Sequence, residues 1–112
     1  METFSRDTNL EGEDMRNLVL FAALGALPLG AAAQDAAAAR SLAATCANCH
    51  GTEGRSVGGM EPLAGMPKDE MVRKFKDFRS GAKPATVMHQ LSKGFTDQQI
   101  DLIAGYFAAQ KR

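Results

Sequence analysis

Cys46 and Cys49 are the chain's only cysteines, and they lie in the run Cys46-Ala47-Asn48-Cys49-His50-Gly51. Two cysteines three positions apart with a histidine directly behind them form the attachment signature of a c-type haem. The spacing follows from the chemistry. Each thiol adds across one vinyl group, the two vinyls sit on neighbouring edges of the porphyrin, and two intervening residues let one helical turn reach both. The next residue then lies under the iron, where an imidazole nitrogen binds axially. A thioredoxin-like thiol pair normally opens a helix after a strand, whereas an alanine-rich stretch with no strand-like run precedes Cys46. A zinc site needs two further ligands, and neither His50 nor His89 stands at finger-like spacing. One covalently attached haem c is the expectation.

At 112 residues the chain holds at most one domain. Residues 15–33 have the form of a secretory signal peptide. Arg16 precedes an apolar run from Leu18 to Leu29, and Ala31-Ala32-Ala33 supplies small residues for cleavage. The run is too short for a mature membrane span. Residues 1–14 carry five acidic residues against Arg6, which does not suit a leader, and Met15 reads as the natural start. The segment before it is then an upstream extension or a misassigned start, and export places the mature protein in the periplasm.

Cleavage after Ala33 leaves residues 34–112 as a monohaem domain. Two of the 13 basic and five of the 13 acidic residues precede Gln34, so the remainder holds 11 against 8, a net +3. That mild bias does not point to nucleic acid. A core in a chain this short is marginal by itself, and a tethered haem supplies the apolar centre it needs. Few β-branched residues and many alanines, lysines, glutamines and methionines favour a small all-α fold.

Residues 35–47 predict the first helix, with Asp35 near its positive end and the cysteine motif at its exit. Its alanines offer a flat face for close helix packing. Gly51 to Met66, with five glycines and Pro62, reads as a loop over the histidine side of the haem. A backbone carbonyl near Glu61 or Pro62 should receive the second ring N–H of His50. Arg55 either neutralises a haem propionate or is an ordinary solvated arginine. Pro67 to Ser80 predicts a second helix, with Asp69 and Glu70 in its first turn and Gly81 as its stop. Met71, Val72, Phe75 and Phe78 form its core stripe, and Arg73, Lys74, Lys76, Arg79 and Lys83 its solvated basic face or a docking surface for an acidic partner. Pro84 to Leu91 predicts a short helix. Thr96 and Gln99 form a capping box for a last helix over 98–110, whose Gly105 and alanines suit tight crossing against the first.

The second axial ligand is expected to be Met88. Met1 and Met15 precede the cleavage point, Met60 and Met66 lie in the histidine-side loop, and Met71 belongs to the core stripe. Met88 comes late enough to return on the other face of the ring, where a thioether raises the reduction potential relative to a second imidazole. His89 is the rival, but neighbouring helical residues point about 100° apart, so only one can face the iron. An open site is the third option.

With these residues in place, the sequence resembles the class I c-type cytochromes, through CANCHG, Leu63-Ala64-Gly65 and a late methionine before the final helix. More narrowly it resembles the cytochrome subunit of flavocytochrome c sulfide dehydrogenases, in its single-haem form. That similarity rests on Phe78-Arg79-Ser80-Gly81, the run from Ala85 to Phe95, Ile103 to Phe107, and Ser56-Val57-Gly58. The loop between Gly58 and Leu63 departs from the family's proline-containing pattern. The resemblance implies about four short helices around one haem, attachment at Cys46 and Cys49, and axial ligation by His50 and Met88. It also implies an electron path from sulfide through the flavin of a separate FAD subunit to this haem, then to a downstream acceptor. Six-coordinate iron leaves substrate no open position, so electron transfer rather than catalysis is expected of this chain. The alternatives are a freestanding soluble cytochrome shuttle and a haem sensor or enzyme with an exchangeable distal site.

Overall fold

A computed structural model describes residues 29–112. The expected extension at 1–14 and the signal peptide up to Pro28 lie outside the described residues. The order is α1 (Leu29–Ala44), α2 (Ala47–His50), a 3₁₀ turn (Thr52–Gly54), α3 (Lys68–Ser80), α4 (Met88–Leu91), a second 3₁₀ turn (Ser92–Gly94) and α5 (Asp97–Ala108). No strand occurs among the described residues, and none of their helices is long and apolar enough to cross a membrane. The all-α expectation holds.

α1 and α5 pack against each other most extensively, and α3 packs across α5. The alanines of α1 supply the contact, with Ala39 and Ala43 buried, and Ala104 of α5 is fully buried. Gly105 does not contribute: a methyl group built there meets nothing within 4 Å outside its own helix. The expectation that Gly105 permits the crossing is therefore corrected. Ile100, Ile103 and Phe107 fill the centre with Met66, Met71 and Phe75. Burial of such side chains stabilises by about 1.5–3 kcal/mol each.

The first helix differs from the expected 35–47. It begins at Leu29, so Asp35 lies six residues inside it, and it ends at Ala44, before the cysteine motif. Thr45 explains the break. Its hydroxyl donates to the Leu42 carbonyl at 2.7 Å, and the amides of Thr45 and Cys46 bond three residues back, at 3.2 and 3.0 Å. These contacts tighten the last turn and end the regular ladder.

α3 matches expectation, with Asp69 and Glu70 in its first turn and Gly81 ending it in the left-handed region at φ 81°. Pro67 caps the helix from outside rather than occupying its first position. The helix expected from Pro84 shrinks to Met88–Leu91. Adjacent β-branched Thr86 and Val87 disfavour the earlier turn, and Val87 sits at φ −131°. The capping box forms in full: Gln99 N–H donates to Thr96 Oγ1 at 3.1 Å, and Thr96 N–H donates to Gln99 Oε1 at 2.9 Å.

Candidate functional site

The cysteine motif is wound into a single turn. The amides of Cys49 and His50 both donate to the Cys46 carbonyl, at 3.3 and 2.9 Å, and Gly51 N–H donates to Ala47 at 3.0 Å. Residues three and four apart share a face of such a turn, which brings Cys46, Cys49 and His50 to one side. All three line a cavity of about 240 Å³ that is partly open to solvent.

His50 Nδ1 donates to the Glu61 carbonyl oxygen at 2.6 Å. Of the two acceptors expected from sequence, Glu61 and Pro62, the structure selects Glu61. The bond fixes the tautomer and leaves Nε2 with its lone pair available to a metal. Glu61 is itself anchored, because its carboxylate pairs with Lys74 Nζ, which also reaches Glu70 at 3.1 Å. The Glu61 hydrogen bond is the main reason that the Lys74 ammonium is held above its usual pKa range.

Most of the remaining cavity wall is apolar, formed by Leu63, Met66, Met71, Phe75, Phe78, Val87, Leu91, Phe95 and Ile103, with Thr45, Glu61 and Lys74 as its polar members. Phe75 belongs both to the core and to this wall, and Phe95 meets it edge-on with centroids 6.1 Å apart. The Lys83 ammonium lies 5.1 Å from the centre of the Phe78 ring. Met88 lines the cavity, whereas His89 is not among the lining residues. Three other methionines reach the wall. Met66 and Met71 are committed to the core, and Met60 is the neighbour of Glu61, the residue that holds His50.

The donor set fits a covalently tethered haem. Two thiols and one oriented imidazole stand on a single turn, a thioether arrives from a distant segment, and apolar side chains exclude water between them. The described residues contain no group of three or more His, Cys, Asp or Glu side chains that could hold a metal ion, so the zinc alternative finds no ligand set. Arg55 lies elsewhere. It bonds Glu53 and donates to the Lys111 carbonyl at 3.1 Å, lining a second cleft rather than the cavity of the cysteine motif.

Arg79 is the residue that sequence reasoning missed. Read as part of a solvated basic face, it instead donates from Nη2 to the Phe95 carbonyl at 2.6 Å, from Nε to the Ser92 carbonyl at 3.3 Å and from Nη1 to Asp97 at 2.7 Å. These partners follow it by 13 to 18 residues, beyond any local pattern. The basic stretch is therefore divided, with Lys74, Arg79 and Lys83 engaged inside the molecule.

A model of the family described as Cytochrome c matches residues 36–111. Cytochrome c4 of Pseudomonas aeruginosa is 38% identical over 93 residues, 82% of this chain and 46% of that protein. The cytochrome subunit of sulfide dehydrogenase from Chlorobaculum tepidum is 38% identical over 66 residues, 59% of this chain and 60% of that protein. A thiosulfate dehydrogenase electron acceptor from Thiomonas intermedia is 34% identical over 99 residues, covering 87% and 45% respectively. The chain spans about half the length of these relatives.

Proposed function

This chain belongs to the cytochrome c family, an electron-transfer family with covalently bound haem c, and from that premise we propose that it passes single electrons in the periplasm through a haem ligated by His50 and Met88. The observation that carries the reading is the pairing of an oriented imidazole with a thioether in one apolar cavity. Cys46 and Cys49 tether the group, and the Glu61 carbonyl strengthens His50 as a ligand. Met88 would supply the second ligand, since His89 is not among the residues lining the cavity, Met66 and Met71 belong to the core, and Met60 adjoins Glu61. When bound, the haem would supply an iron that accepts and releases one electron. The protein's own residues would hold the group and keep water from most of it, in a cavity that is partly open to solvent. Cleavage after Ala33 would put Asp35 in the first turn of what remains of α1, where a carboxylate is favourable.

The donor we propose is the FAD-containing subunit of a sulfide dehydrogenase, with this chain as its cytochrome subunit. The named relatives of C. tepidum and T. intermedia both serve dehydrogenases of reduced sulfur compounds. A second reading, a freestanding carrier, draws on the match to cytochrome c4, which extends over more of this chain. A tagged chain captured from periplasm separates the two by absorbance. Haem and flavin eluting in constant ratio support the subunit reading. Haem alone, on a monomer, contradicts it and favours the carrier.

A further inference from the structure

The segment that carries Met88 has little to hold it. α4 is four residues long, far below the length at which a helix sustains itself. Val87 and Leu91, on either side of Met88, line the cavity and take no part in the core. Its internal bonds are local, with the amides of Gln90 and Leu91 donating to Val87 at 3.0 and 3.1 Å. Among the described residues, the hydrogen bonds that tie 84–95 to another element all come from Arg79.

We infer that Arg79 is a positioning residue for Met88, a buckle joining the end of α3 to the segment that presents the thioether. The guanidinium is a planar fork with five donors, and here three of its nitrogens take three acceptors spread over six residues. Ser92 and Phe95 receive it on their carbonyls, and Asp97, in the first turn of α5, receives it on its carboxylate. Charge-assisted bonds of this kind are about twice as strong as neutral ones. The segment is pinned immediately after α4, so Met88 cannot swing out unless these bonds break or the short stretch between them unwinds. A lysine, with one nitrogen, cannot span the three acceptors. The inference rests on the reading of Met88 as distal ligand.

The test uses purified haem-loaded ferric protein. Cyanide competes with the thioether, and its binding rate reports how often Met88 leaves. The sulfur-to-iron charge-transfer band reports the bond itself. Arg79→Gln is expected to raise the cyanide binding rate at least tenfold and to lose the band at a lower temperature than global unfolding. Arg79→Lys should fall between it and wild type, and Arg73→Gln on the same helix should match wild type. Asp97→Asn, which keeps the two carbonyl bonds, should lower stability without a comparable rate change. A cyanide rate in Arg79→Gln within twofold of wild type overturns the inference. If Arg79→Gln does not fold, Arg79→Lys decides on the same criterion. Failure of the Met88 reading looks different: wild type itself lacks the band.

Discussion

The Glu61 carbonyl receives the His50 Nδ1 hydrogen at 2.6 Å, while the Glu61 side chain is held by Lys74 from across the chain. One residue thus links the cavity-lining imidazole to an ion pair that also borders the cavity.

That link predicts opposite shifts in reduction potential. Glu61→Gln removes a negative charge near the iron and disfavours the ferric state, raising the potential. Lys74→Met leaves Glu61 and Glu70 uncompensated and lowers it. Each shift is on the order of tens of millivolts for a partly solvated charge, and the double variant should fall between them. Redox titration of the three proteins checks the sign, and shifts in the same direction would contradict the linkage.

The same ion pairs set pH limits on stability. Arg79 hydrogen-bonds Asp97 and holds its carboxyl below the usual range, so its contribution is present above the ordinary carboxylate pKa and is lost as pH falls through the depressed one. Lys74 is raised, so its contribution is present below the ordinary lysine pKa and lost as pH rises through the raised one. Melting temperature against pH should lose part of its acid slope in Asp97→Asn and part of its alkaline slope in Lys74→Met. Unchanged limbs would show that these pairs do not contribute.

Two glycines should respond oppositely to alanine. Gly54 sits at φ 77°, and an added Cβ would lie 2.8 Å from the Ala64 amide and 2.9 Å from both Leu63 Cβ and Phe107 Cδ1. Its carbonyl also receives the amides of Leu63 and Ala64 at 2.9 and 3.2 Å, so the turn cannot move freely. Gly54→Ala should cost roughly 2 kcal/mol or more. Gly105→Ala, inside α5 with open space around it, should gain about 1 kcal/mol. Denaturant unfolding of the haem-loaded proteins measures both.

Covalent attachment predicts that haem absorbance stays with the polypeptide after denaturation and organic extraction. Replacing both Cys46 and Cys49 by alanine should release it completely. Retention of pigment by that double variant would point to a different anchor.

What was legible in the sequence was local. The cysteine motif, the α3 stripe and stop, and the Thr96–Gln99 box each lie within a few residues, where spacing dictates geometry. The errors were local competitions with no clear winner. Thr45 bonds back to Leu42 and breaks the first helix, and Thr86-Val87 overrides the helix start that Pro84 suggested. Arg79 and Lys74 were illegible for another reason. The partners of Arg79, and the Glu61 partner of Lys74, lie 13 to 18 residues away, and a basic residue on an amphipathic helix gives no sign of which distant carbonyl or carboxylate the fold will bring to it.

The identity of the sixth ligand tests the account most directly. Ferric wild type should be low-spin and show the sulfur-to-iron charge-transfer band, Met88→Ala should lose that band and bind carbon monoxide readily when reduced, and His89→Ala should keep it. A wild-type protein without the band, or a band that survives in Met88→Ala, would contradict a relay closed by His50 and Met88.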